Sequence, residues 1–213
     1  LWFAGIDTIT AMMRKMIISA AVAGVAVLAF QAPASAAVPP SSSTAANTLS
    51  LRAGLTLALP GTWRVYGGGD QIRVVTGACA KPKSHYFEPR CRSFWVMGAQ
   101  ALKTGGEGFQ PYNPNQGPFY PAVDVAPCAT NPSLGQVLGK AAAVGHRAVG
   151  AGHRAHYRVW TGRCVRNDNG EQKSTFSQRE WYLPKERILV VDQWNTPGLS
   201  TVLKNATWSS PSR

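Results

Sequence analysis

The chain has 213 residues, with 22 Lys and Arg against 10 Asp and Glu, four Cys and 45% hydrophobic residues. That length suits one domain with a tail, and the apolar fraction excludes a disordered chain or a collagen-like fibre. Charged residues make up 15% of the chain, too few for a coiled coil or a long charged helix.

Residues 1–12 stand upstream of a basic start and are set apart from the fold. Met13-Arg14-Lys15 is that basic segment, Met16–Phe30 is an apolar run of 15 residues, and Ala34-Ser35-Ala36 is an A-x-A cleavage site. Together they read as a secretory signal peptide over residues 13–36. A bilayer span takes about 20 residues, so no transmembrane anchor is expected. The first cysteine is Cys79, far from the cleavage site, so a lipid anchor is not expected either and the product should be secreted. Arg outnumbers Lys 14 to 8, a composition that points to a bacterial source. Cleavage leaves 20 basic and 9 acidic residues, a net charge of +11. Residues 37–48 are polar and lack periodicity, which predicts a flexible linker. Residues 49–213 are then a single globular domain.

Four cysteines in an exported chain predict two disulfides, and sequence allows three pairings of Cys79, Cys91, Cys128 and Cys164. The short loop between the first two favours Cys79–Cys91 with Cys128–Cys164. The spacings are wide and contain no C-x-x-C, so neither a metal site nor any other cofactor is expected.

The apolar pattern has mostly a period of two, which predicts strands. Leu55, Leu57 and Leu59 alternate with polar or small neighbours, and so do Trp63 and Val65. Gly67–Asp70 is a turn, beyond which Ile72, Val74 and Thr76 continue the alternation. Arg92–Gln100 is a further strand centred on Phe94-Trp95-Val96. Ala155, Tyr157, Val159 and Thr161 form one face of a later strand. Asn169-Gly170 predicts a two-residue hairpin turn into Thr175–Leu183. Pro184–Arg187 turns the chain into the apolar strand Ile188–Trp194. Asn195 or Thr196 can then cap a short helix with Pro197 in its first turn, and Leu199, Val202 and Leu203 have helical spacing. The expected fold class is α+β: an antiparallel sheet with a short C-terminal helix, stapled by disulfides. The alternative is a β-sandwich.

Two stretches carry a family resemblance. Gly54–Trp63, with its Leu59-Pro60-Gly61-Thr62-Trp63 turn, resembles the opening of small exported PsbP-like domains. Ile188–Trp194 followed by Leu199–Trp208 resembles their last strand, final helix and exit. The resemblance implies a central antiparallel sheet flanked by helices and a protein that binds or scaffolds. It implies no catalytic residues.

Three places are candidates for function. Between Val125 and Asn167 there is no acidic residue, but there are six Lys and Arg and three His, with Gly-His-Arg-Ala occurring twice. On a strand, Arg154, His156, Arg158 and Trp160 share one face. Such a face can bind an anionic polymer such as teichoic acid or nucleic acid. Otherwise it is a solvated surface. The same reading allows an envelope protein as partner. The three His do not fit a metal site, because His153 and His156 point to opposite faces of a strand and cations surround them. The second place is the irregular segment from Thr104 to Pro127, where Phe109, Tyr112, Phe119 and Tyr120 can stack on sugar rings or else fold inward as an Ω-loop. The third is His85, Glu88, Arg90 and Arg92, which contain the residue types of a ribonuclease-like site. No G-x-S-x-G or H-E-x-x-H occurs. The expected function is a secreted, non-enzymatic binding domain at or outside the cell envelope. The alternative is a secreted hydrolase acting on an anionic polymer such as RNA.

Overall fold

The computed structural model describes residues 47–79 and 91–209. The signal segment, residues 37–46 of the linker and the stretch containing His85, Glu88 and Arg90 lie outside the described residues.

Eleven strands are described: β1 (Asn47–Ser50), β2 (Leu55–Leu59), β3 (Arg64–Gly68), β4 (Gln71–Val75), β5 (Ser93–Met97), β6 (Pro127–Cys128), β7 (Asn131–Ala148), β8 (Arg154–Val165), β9 (Gln172–Leu183), β10 (Ile188–Asp192) and β11 (Thr207–Trp208). One helix, α1 (Leu199–Lys204), precedes the last. Eight strands form one sheet in the order β3-β4-β5-β10-β9-β8-β7-β6, and β1-β2-β11 form a second. All pairings are antiparallel. The architecture is therefore mostly antiparallel sheet. A helix of six residues gives the α+β description little weight, and two packed sheets fit the β-sandwich alternative better. The stretches that resemble PsbP-like domains lie in β2 and in β10 through β11. Among the described residues, α1 is the one α-helix beside them.

The strands form where one face has oil to meet. On one side of the large sheet, Val74, Phe94, Val96, Ile188, Val190 and Trp181 pack against Leu55, Leu57 and Leu59 of the small sheet and Leu199 and Leu203 of α1. Asn47 and Thr48, read from sequence as the end of the linker, belong to β1 and pair with Leu59 and Ala58. Both disulfides form in the favoured pairing, with Cα separations of 5.2 Å for Cys79–Cys91 and 5.6 Å for Cys128–Cys164.

Three local expectations change. Asn169-Gly170 does not make a two-residue turn. Arg166 donates its N–H to the Glu171 carbonyl at 2.9 Å, which leaves a four-residue turn over 167–170. The Asn169 side chain holds the Glu171 N–H at 2.9 Å, and Gly170 supplies the left-handed backbone at φ +71°. The helix begins later than Pro197, after Gly198, and no side chain caps it. The reason is Asp192. Its carboxylate takes the Trp194 N–H at 3.0 Å, the Thr196 N–H at 2.9 Å and the Thr196 hydroxyl at 2.9 Å, holding 193–196 as a turn. Arg179 neutralises Asp192 from β9. The largest change is β7, 18 residues long, to which the alternation rule assigns no strand. Its outer half is exposed on both faces, so no apolar period is required of it.

The tip of the β7–β8 hairpin is anchored. Gly150 donates to the Leu203 carbonyl at 3.0 Å, and the Trp208 indole donates to the Val149 carbonyl at 2.7 Å. A Cβ on Gly150 would stand 2.5 Å from the Ala206 carbonyl, so only glycine allows this approach.

Candidate functional site

The second side of the large sheet is covered by chain without regular structure. Residues 98–126 form an arm with short 3-10 turns at Ala101–Thr104 and Glu107–Phe109. The arm is pinned to itself: Tyr112 N–H reaches the Leu102 carbonyl at 2.8 Å and Tyr120 N–H reaches the Gly105 carbonyl at 2.8 Å. Leu102, Tyr112 and Phe119 pack on Trp95, Met97, Leu189 and Val191. Gly105 makes room for the Phe119 ring, which a Cβ there would meet at 2.5 Å.

A buried polar group sits beneath the arm. Glu180 of β9 is 1% exposed and its carboxylate accepts four hydrogen bonds. Oε2 takes the Tyr112 hydroxyl at 2.8 Å and the Trp160 indole N–H at 2.7 Å. Oε1 takes the Phe119 N–H at 2.6 Å and Gln178 Nε2 at 2.7 Å. Burial drives the carboxyl above the ordinary glutamate range, even though the four donors pull it down. Burial and the neighbouring carboxylate likewise push the Tyr112 phenol well above its usual value.

Three amides carry this network across the sheet. Gln178 Nε2 also donates to the Phe119 carbonyl at 2.8 Å, and a carbonyl can only accept. Gln178 therefore presents its oxygen to Gln193, whose Nε2 donates to it at 2.6 Å and to Gln136 Oε1 at 2.8 Å. Gln136 is left with its Nε2 outside the relay, buried and without a hydrogen-bond partner among the described residues.

The arm makes two clefts. One, of about 600 Å³, runs between residues 106–124 and the start of β7, with Phe109, Tyr120, Glu107, Asp124 and Gln136 in its walls. The other, of about 590 Å³, is open and is lined by residues 110–116 together with His156 and Tyr182. The ridge Gln110–Gln116 separates them.

The sequence-derived residues fall unevenly on this plan. Arg154, His156, Arg158 and Trp160 do share one face of β8, the face that the arm covers. Trp160 is buried at 6% exposure, with its indole on Glu180, so it offers no surface for stacking. Arg158 reaches the ridge, donating to Asn115 Oδ1 at 2.7 Å. His156 meets His146 edge to face at 5.0 Å, a cross-strand pair that spacing along one strand does not reveal. Partial burial, then His146 and Arg158, lower the His156 pKa, which keeps the ring neutral at pH 7. His153 lies apart, stacked on Trp208 at 3.9 Å and 3.7 Å from Glu186. Among the described residues, no cluster of three His, Cys, Asp or Glu is placed to hold a metal ion. Of the four arm aromatics, Tyr112 and Phe119 fold inward, as an Ω-loop requires. Phe109 stays 52% exposed, and Tyr120 stands in the cleft wall. Of the ribonuclease-like group only Arg92 is described, and it is exposed.

Sequence reading missed Glu180, Gln178, Gln193 and Gln136. One signal was present: Phe176, Gln178, Glu180 and Tyr182 are in phase on one face of β9, two polar residues bracketed by aromatics. No protein-family model, curated protein or solved structure matches the chain.

Proposed function

We propose that the protein is an exported, non-enzymatic binding domain acting at or outside the cell envelope, of the binding or scaffolding kind that the PsbP-like resemblance implies. Its ligand is an anionic polymer held along the β7–β8 hairpin. The observation that carries this reading is the charge on that hairpin. Lys140, Arg147, Arg154, Arg158 and Arg163 project from it, and none is in an ion pair among the described residues. Among the described residues, the carboxylates are paired, buried or set in the 600 Å³ cleft, so none of them is free to cancel the hairpin field. Two disulfides support export, and no helix among the described residues is long and apolar enough to cross a membrane.

The test is salt dependence. Neutralised phosphates release counterions, so log affinity for DNA or teichoic acid falls linearly with log salt. Arg154→Ser with Arg158→Ser should weaken binding and flatten that slope by about two units. Lys185→Ser with Lys204→Ser removes the same two charges from other exposed positions and should change little. Equal losses in both double variants would reduce the hairpin to diffuse charge and end this reading. Because His156 is neutral at pH 7, affinity should also rise as pH falls and the ring takes a proton between His146, Arg158 and Tyr182.

A further inference from the structure

We propose that the cleft between the arm and β7 is a second binding site, for a neutral, hydroxyl-rich ligand: a saccharide unit. Its chemistry differs from that of the hairpin. Glu107 and Asp124 line it, and neither is in an ion pair among the described residues. Two open carboxylates repel a phosphate polymer and accept hydrogen bonds from hydroxyls.

The floor supplies the complementary donor. Gln136 is 4% exposed, lines the cleft, and has an unpartnered Nε2. Native proteins rarely leave a buried donor unpaired, and such a group points to an acceptor that occupies the site. Its direction is not free to reverse. The Phe119 carbonyl fixes Gln178, Gln178 fixes Gln193, and Gln193 fixes Gln136 with its oxygen toward Gln193 and its amide nitrogen as the end left over. This orientation does not depend on the charge of Glu180, because the Phe119 carbonyl alone sets it. The arm that walls the cleft thus also decides which end of the Gln136 amide is left unpaired.

The wall supplies an aromatic. Phe109 is half exposed and sits in left-handed backbone at φ +61°, directly after Gly108 at φ +67°. That conformation is unfavourable for a bulky residue, and strain of this kind concentrates where a ring must be presented to a ligand. An exposed ring, a fixed amide donor, two carboxylates and the amides of Asn113 and Gln116 together match the alternating apolar faces and hydroxyl edges of a sugar. A purely apolar ligand leaves Gln136 unpaired, and an anion meets Glu107 and Asp124.

The experiment is calorimetric titration of the full chain with neutral tetrasaccharides: β-1,4-linked glucose, β-1,4-linked N-acetylglucosamine and α-1,6-linked mannose. Spermidine serves as the cationic competitor. At least one tetrasaccharide should bind saturably. Its affinity should stay constant between about 0.05 and 0.5 M salt, a range over which polymer binding at the hairpin collapses. Gln136→Leu should lower the affinity about tenfold, the loss of one buried hydrogen bond. Phe109→Ala, at an exposed position where folding is not at risk, should lower it by a similar factor. Absence of binding by all three sugars at about 10 mM, which corresponds to affinity below the millimolar range, would overturn the proposal. So would spermidine binding alone, or a sugar affinity that both variants leave unchanged.

Discussion

The two sides of the large sheet are sealed by opposite means. On one side, Leu55, Leu57, Leu59, Leu199 and Leu203 meet Phe94, Val96, Val190 and Trp181, and the contact is almost entirely apolar. On the other, an irregular arm is held by a carboxylate with four donors and a chain of three amides, with a smaller apolar cluster beside them. Apolar packing is non-directional and tolerates small rearrangement. A buried polar network is directional: it is worth most when every member is satisfied and little when one is missing. The first side therefore makes the domain stable, and the second makes one surface specific. Both clefts lie on the second side.

The largest effect should come from the apolar side. Leu57 is fully buried between the small sheet and the large one. Leu57→Ala deletes buried methyl groups and leaves a cavity, so it should cost about 2–5 kcal/mol. The loss should be global, with circular dichroism and tryptophan fluorescence shifting together in urea. Separate transitions for the two probes would show that the sides are not one cooperative unit.

The polar side should fail locally instead. Glu180→Leu removes the acceptor of four donors, each of which costs about 1–3 kcal/mol if it stays sealed and unpaired. The arm escapes most of that cost by lifting and letting water in. The measured loss should then be only about 1–3 kcal/mol. Hydrogen exchange at the Phe119 and Tyr120 amides should rise at least about tenfold while Val190 keeps its protection. A uniform rise across β10 would contradict the contrast.

Acidity sharpens the same point. The folded state raises the Glu180 pKa, so it binds a proton more readily than the unfolded chain does. Stability from this group is fully present below the ordinary glutamate pKa and is lost as pH rises through the raised value. Glu180→Gln should remove that descending slope from a stability profile measured upward from pH 4. An unchanged slope would assign it to another group.

How far the sequence announces this structure depends on the side. β2, β4, β5, β9 and β10 are legible because at least one of their faces is buried in oil, which imposes a period of two or an apolar run. The disulfide pairing follows from loop length. β7 was illegible: Gly139, Gly145 and the run Ala141–Ala143 have low strand propensity, and an edge exposed on both faces leaves no pattern. Trp160 reads as surface because its cover comes from an irregular segment some 40 residues earlier, and Glu180 goes unread because its partners Tyr112 and Phe119 lie in the same segment. Polar burial depends on partners distant in the chain, which no local period encodes.

The smallest effect tests whether the polar side also stores strain at the cleft. At an ordinary strand or helix position alanine is more stable than glycine, because glycine has more conformational freedom to lose on folding. Phe109 occupies left-handed backbone at φ +61°, where a Cβ is penalised and glycine is not. The usual order should therefore reverse. Phe109→Gly should be more stable than Phe109→Ala by about 0.5–1 kcal/mol, read as the difference between their urea midpoints multiplied by a common slope. Both variants lose the ring, so both should lose saccharide affinity about equally. Stability would then depend on the backbone preference at this position and binding on the side chain it presents. If alanine proves the more stable, the backbone at Phe109 carries no strain, and the cleft rests on Gln136 and its relay alone.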